Sequence, residues 1–212
     1  MLFKNGIPAK TPRLLKWLYP RRIWSYPKRK NCIYLTFDDG PTPGVTDWVL
    51  DTLKRFDAKA TFFCIGKNVA AHENLFHRIH AEGHCIGNHT HNHLNGWKVS
   101  TEEYLQNVKM ASEYIDSDLF RPPYGRASFK QAKELKKQGF KIIMWDILAM
   151  DWKKSISAEA CYKNVIENVE NGSIIVFHDS IKAGKNLKRV LTDILRDLQS
   201  KGYQFELIPS GS

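Results

Sequence analysis

The chain has 212 residues, 42% hydrophobic and 25% charged, which suits one globular domain with a full core and excludes a disordered chain. Its net charge of +10 is uneven: residues 1–30 hold nine Lys or Arg and no Asp or Glu, which leaves residues 31–212 at +1, so the body carries no nucleic-acid signature and no nucleic-acid partner is expected. No apolar run approaches the roughly 18–20 residues that span a bilayer. Met1-Leu2-Phe3 leads at once to Lys4 with no apolar leader, so the expectation is a cytoplasmic, possible membrane-peripheral location, or export if the chain is trimmed.

The basic arm, residues 1–30, mixes Arg13, Lys16, Arg21 and Arg22 with Leu14, Leu15, Trp17, Leu18, Tyr19, Ile23 and Trp24. This pattern predicts a short amphipathic helix packed on the domain and broken at Pro20. The alternative is an interfacial segment that touches anionic lipid or an anionic polymer through residues 10–30.

From residue 31 strands and helices alternate. Strands are predicted at 32–37, 60–65, 85–87, 119–121, 140–145, 173–177 and 203–207. Helices are predicted at 46–56, 69–82, 101–115, 128–138, 158–169 and 187–200, with Ser100 and Glu103 as a capping box. Residues 208–212 read as a flexible tail. Seven such alternations imply a parallel sheet covered by helices. With no Gly-x-Gly-x-x-Gly and no phosphate loop, the choice is a single-domain, incomplete (β/α) barrel over 31–207. The four cysteines, Cys32, Cys64, Cys85 and Cys161, form no Cys-x-x-Cys pair and are expected as free, buried thiols.

In such barrels the chemistry lies at the C-terminal ends of the strands. Each unusual polar cluster falls there. Asp38-Asp39-Gly40 follows the first strand and Asn88-His89-Thr90-His91-Asn92-His93 the third. Arg121-Pro122-Pro123-Tyr124 follows the fourth, Asp151-Trp152 the fifth, and His178-Asp179 the sixth. Two adjacent carboxylates are tolerable when a cation sits between them or one keeps a proton. On an extended segment His89, His91 and His93 would share a face; on a helical turn His89 and His93 would share it and His91 would point away. Two imidazoles and one carboxylate are a common catalytic Zn²⁺ set, with Asp39 or Asp38 as the third ligand. The other Asp is then free to take a proton. Arg121 can hold Asp38 ionised and aimed. Asp151 beside His178 would raise its pKa and make it a general acid. His72, His77, His80 and His84 are expected as exposed helical residues.

These motifs, in this order, resemble those of the polysaccharide deacetylase family, the NodB-homology or family-four carbohydrate esterases. The likeness covers roughly residues 31–207. It implies an incomplete (β/α) barrel and a metal held by Asp39, His89 and His93, with His91 a bystander. It implies Asp38 as base oriented by Arg121, and His178 as acid tuned by Asp151. The Tyr124 N–H is implied as an oxyanion donor, and Trp152, with Pro123 and Val176, as part of the substrate groove. Two positions depart from the family pattern: Leu148 stands where an acidic residue is usual, and Val176 where the fifth motif usually has Leu. The implied reaction is metal-dependent hydrolysis of N-acetyl groups on an N-acetylglucosamine-containing glycan of chitooligosaccharide or peptidoglycan type; separately, a monomer is expected. Alternatives are O-acetyl ester hydrolysis on xylan or a similar polymer, and non-catalytic glycan binding. Zn²⁺ fits the ligands, and Co²⁺, Ni²⁺ or Fe²⁺ can occupy such a set.

Overall fold

A computed structural model describes residues 8–27 and 31–211; residues 1–7 and 28–30 of the basic arm, and Ser212, lie outside the described residues. The strands are β1 (Cys32–Asp38), β2 (Ala60–Cys64), β3 (Cys85–Asn88), β4 (Leu119–Phe120), β5 (Lys141–Ile142), β6 (Ile147–Leu148), β7 (Ile174–His178) and β8 (Gln204–Phe205). The helices are α1 (Arg13–Leu18), α2 (Thr46–Arg55), α3 (Gly66–Ala71), α4 (Glu73–Ala81), α5 (Thr101–Ser112), α6 (Phe129–Lys137), α7 (Ala158–Ile166) and α8 (Ile181–Ser200). The sheet runs β5-β4-β3-β2-β1-β7-β6, all pairs parallel, with β8 added beside the start of β1. This is the incomplete barrel that the alternation predicts.

The sheet is buried on both faces, as parallel sheets are. Ile33, Leu35 and Phe37 of β1 join Ile175 and Phe177 of β7 and the apolar stripes of α2 and α8 in the main core. Phe37 stacks between Phe62 and Phe177, with ring centroids 5.1 and 5.6 Å away. The alternate residues Tyr34, Thr36 and Asp38 therefore face the barrel interior. Register places Asp38 beside His178. Two acid–base residues thus meet because their strands pair, not because a loop brings them together.

The arm is built into the sheet. The strand path ends at β5 and β6, and residues 8–27 run between those two ends. Ile23 bridges to Ile143 and Lys10 to Ile147. The Met144 N–H donates to Ile23 O at 2.7 Å and the Leu148 N–H to Ala9 O at 2.9 Å. Trp24 is buried. Asp146, 1% exposed, sits at this seam and accepts from Lys10 Nζ at 2.6 Å, Lys16 Nζ at 2.5 Å and Ser173 Oγ at 2.6 Å. Two cations from the arm thus neutralise one buried acid of the barrel. Asp146→Asn is expected to cost about 2 kcal/mol of unfolding free energy, less than for a fully buried pair because both lysines are partly solvated. A urea melt checks it, and an unchanged midpoint contradicts the seam role.

Several expectations need correction. β6 is absent from the predicted strands. Predicted helix 69–82 is two helices, α3 and α4, that meet at His72 in a non-helical conformation. At α5 only the Ser100 side chain caps, accepting from the Glu103 N–H; the full reciprocal box is Ser128 with Gln131 on α6. His84 is buried: it takes the Ala60 N–H on Nδ1 at 3.3 Å and turns its ring edge to Phe62. The end of the chain is not a loose tail through residue 211. Ile208 is 1% exposed, its N–H donates to Thr61 Oγ1, and the Gly211 N–H donates to Asp118. Cys64 and Cys161 are buried, Cys32 and Cys85 half-buried, and none of the four is in a disulfide.

Candidate metal centre and catalytic site

After β3 the chain turns sharply, with positive φ at Thr90 and His93. The turn is fixed from behind. Asn88 Oδ1 accepts the Thr90 N–H at 2.8 Å, and Asn107 Oδ1 accepts the His91 and Asn92 N–H groups at 2.9 Å each. The segment is neither extended nor helical, yet it sorts the histidines as a helical turn would. His89 and His93 converge with ring centroids 5.2 Å apart, whereas His91 turns to Tyr114. Opposite them stands Asp39, held at φ +82° by the corner after β1, with its carbonyl taking the Asn68 Nδ2–H at 2.8 Å.

Asp39 Oδ1 lies 3.2 Å from His93 Nε2 and 3.7 Å from His89 Nε2. One ligand atom from each of the three residues falls within 4.8 Å of the others. Asp39 Oδ1 is shielded from solvent and makes no aligned hydrogen bond. Such an orphaned carboxylate oxygen is costly unless something positive fills the gap. His89 Nδ1 is 2.7 Å from Arg121 O. A carbonyl only accepts, so Nδ1 carries the proton and Nε2 presents a lone pair to the gap. Burial pulls the His89 pKa down to about 4, against the charges of Asp38 and Asp39, so the ring is neutral, as a ligand must be. Burial also opposes the charge of Asp39, but His93 beside it and the histidines around it hold its pKa well below the usual carboxylate range. The trio fits a divalent cation.

Asp38 does not belong to the trio. Its Oδ1 accepts from Arg121 Nη1 at 2.6 Å. The same nitrogen donates to Thr36 Oγ1 at 2.7 Å, and Nη2 donates to Met144 O at 3.0 Å. Arg121 is fully buried and its guanidinium lies 4.0 Å over the Phe63 ring. Asp38 and Thr36 are two apart on β1, on one face, so a single guanidinium spans both.

His178 ends β7 beside Asp38. Asp151, 1% exposed, meets it twice: Oδ2 accepts the His178 backbone N–H at 2.7 Å, and Oδ1 lies 2.9 Å from Nδ1. Nε2 is thereby left for the site. Burial lowers the pKa of this imidazole, but the Asp151 charge and hydrogen bond, with Asp39 and Asp38 beyond, outweigh it and push the value up to about 9. The Trp152 ring lies 4.6 Å from the His178 ring. Tyr124, at φ +58°, is 61% exposed and meets the His93 ring edge-on at 4.6 Å; Pro123 before it is buried.

Val176 is 1% exposed and packs with Leu148 and Met150 against Trp152 and Trp145. Parallel pairing of β6 with β7 sets Leu148 and Val176 side by side. The two departures from the family pattern are therefore one buried apolar patch that packs against Trp152.

Asp179 is a residue that the sequence reading flagged in a cluster but gave no role. It is fully buried and accepts from the Gly40 N–H at 3.0 Å and Thr46 Oγ1 at 2.6 Å. Burial pushes its carboxyl up to about 7, against the Thr46 hydrogen bond, with the Asp39 charge adding to the rise. It clamps the loop that carries Asp39. A Cβ on Gly40 would stand 2.0 Å from its Oδ2, which is why glycine follows the aspartate pair. The signal for it was present: a second acid at the strand end that bears His178.

Residues 25–143 match the family described as polysaccharide deacetylase. The chain is 37% identical over 196 residues to a peptidoglycan-N-acetylglucosamine deacetylase of Bacillus cereus, covering 88% of this chain and 70% of that one. It is 38% identical over 187 residues to the peptidoglycan-N-acetylglucosamine deacetylase PgdA of Listeria monocytogenes, covering 85% of this chain and 39% of that longer one. Among solved structures it resembles a peptidoglycan N-acetylglucosamine deacetylase with a TM-score of 0.86 at 35% identity, over 94% of this chain and 95% of the other.

Proposed function

The chain belongs to the polysaccharide deacetylase family, and from that premise we propose that it hydrolyses the acetamide of N-acetylglucosamine residues in a peptidoglycan-type glycan, releasing acetate and a free amino sugar. The observation that carries this reading is the split between the two adjacent acids. Asp39 points into the gap with His89 and His93, while Asp38 is held apart by Arg121.

Asp39, His89 and His93 would hold the divalent ion, with Zn²⁺ the ion that suits the donor set; when bound it supplies positive charge that polarises a carbonyl and lowers the pKa of a nearby water. Asp38 takes the proton of the water as its oxygen bonds to the acetyl carbon. The Tyr124 N–H meets the oxyanion that develops, a type of donor worth about 3 kcal/mol. An amine leaves badly as an anion, so the C–N bond breaks as His178 Nε2 passes its proton to nitrogen. Asp151 fixes the ring for that transfer. Trp152 forms a wall beside it. Acetate release from N-acetylglucosamine oligomers and peptidoglycan fragments tests the reading. Chelation is expected to abolish release and added Zn²⁺ to restore it. Full activity in chelator, or no acetate from any of these glycans, refutes it.

The arm supports a further contact, with an anionic membrane surface. Leu15 and Tyr19 pack inward, but Leu14, Trp17 and Leu18 of α1 are 52%, 74% and 40% exposed, among Arg13 and Arg21. Cosedimentation with phosphatidylserine vesicles is expected to drop several-fold in the pair Leu14→Ser and Trp17→Ser. These substitutions leave the seam intact, unlike deletion of the arm. Equal binding by both proteins rules the contact out.

A further inference from the structure

A groove of about 640 Å³ lies between the arm and α6. Its apolar walls are Tyr19, Phe129, Ala132 and Ile142. Its basic walls are Arg21 of the arm and Lys133, Lys136 and Lys137 of α6, and no Asp or Glu lines it. The two sides are fixed to each other. Tyr19 stacks on Phe129 with ring centroids 5.2 Å apart, and Lys136 Nζ donates to Arg21 O at 3.1 Å.

The charge of this groove is not balanced from within the protein. Arg22 also lines it, is 8% exposed, and lies with its guanidinium 4.3 Å over the Tyr19 ring. It donates to two backbone carbonyls, Ala127 O at 2.6 Å and Gly125 O at 3.4 Å, and burial works against its charge. Among the described residues no carboxylate pairs with it, whereas the buried Arg121 has Asp38. Lys137 is paired with Glu134, but Arg21 and Lys133 are exposed and in no ion pair among the described residues. A buried guanidinium without a counter-charge is costly, and an anion in the groove supplies one.

The occupant must also be partly apolar. Phe129 is 70% exposed, and a wholly polar anion would leave its ring wet. An anionic phospholipid has both parts, a phosphate for the cations and a tail for the rings. The groove also begins where α1 ends, since Tyr19 is the C-cap of α1. Leu14, Trp17 and Leu18 on that helix already turn to solvent.

We propose that this groove holds the headgroup phosphate of an anionic phospholipid, with the start of its acyl chains against Tyr19 and Phe129. The site rests on the membrane contact of α1 proposed above and deepens it: α1 meets the bilayer surface, and the groove selects which lipid lies beneath. Tyr19 also lines a second hollow, which reaches Tyr124. A protein docked in this way holds its catalytic mouth next to the membrane.

The probe is dihexanoyl phosphatidylglycerol, kept below its micelle concentration so that no bilayer forms. Dihexanoyl phosphatidylcholine supplies the same tails without net charge, and glycerophosphoglycerol the same headgroup without tails. Binding is followed by amide chemical shifts on the full chain, with and without Arg21→Gln plus Lys133→Gln; the variant's own spectrum reports that it is folded. Phosphatidylglycerol is expected to shift groove amides, to bind about tenfold more tightly than either control, and to bind the variant about tenfold more weakly. Equal affinity for phosphatidylcholine removes the charge selection. Equal affinity for glycerophosphoglycerol makes the groove a site for free phosphodiesters or polymers of them. Unchanged affinity in the variant places the lipid elsewhere. Each of these three results overturns the proposal. The vesicle test of α1 is read separately: its failure removes the bilayer contact, whereas these monomeric ligands decide the groove.

Discussion

Asp38→Asn is expected to lower kcat for acetate release by about 10³-fold, within the span typical of a lost general base, while metal content stays near one ion per chain. Asparagine keeps an oxygen for Arg121 Nη1, now 2.6 Å from Asp38 Oδ1, so the geometry of the corner survives. What it removes is the basic carboxylate. It also leaves a fully buried guanidinium without its counter-charge, so the melting temperature falls as well. Metal content separates the two consequences. Asp39, His89 and His93 are untouched, and a folded variant that binds metal but releases no acetate fits the division of labour between the two acids. Loss of the metal together with activity would place Asp38 among the ligands and contradict it.

His178→Ala is expected to cost about 10²- to 10³-fold in kcat on the acetamide, and markedly less on an acetate ester of similar size. An alkoxide departs without help far more readily than an amine anion, so the acid matters most for the amide. The pH profile carries a second signature. The acid must be protonated to act, and its pKa is pushed up to about 9. The rate should therefore hold through neutral pH and fall as pH rises through about 9. Asp151→Asn removes the principal charge that raises this pKa, so the alkaline limb should move to lower pH and the plateau should drop. A limb that stays in place after that substitution would mean that some other group titrates there. Equal losses on ester and amide would mean that His178 does not protonate the leaving group.

Most of the site was legible because strand chemistry is legible. Residues such as Cys32–Phe37 and Ser173–Phe177 announce buried strands by composition, and polar residues that end them must lie on the functional rim. Asp38, Arg121 and His178 followed from that alone, and the family pattern added which acid meets the metal. What escaped was set by contacts distant in sequence. Nothing near Lys10 or Lys16 says that their partner is Asp146, 136 and 130 residues on. β6 is two residues long, too short for any periodicity to appear. α8 begins at Ile181, ahead of the predicted start at 187; Ile181 is 84% exposed and adds nothing to an apolar stripe, and Gly184 is a poor helix former. Gly184 is instead the point where α8 meets Val45, with an added Cβ only 3.3 Å from Val45 Cγ2. His84 was misplaced for the same kind of reason: its partner, the Ala60 N–H, is on another strand.

The account stands on a metal that sits between one carboxylate and two imidazoles. The most direct measurement is anomalous diffraction at the zinc edge from crystals grown with Zn²⁺. A single strong peak is expected within ligand distance of Asp39, His89 Nε2 and His93 Nε2, with Asp38 still on Arg121. Crystals of a protein that releases acetate, yet show no peak there or show the peak on Asp38 instead, would contradict it.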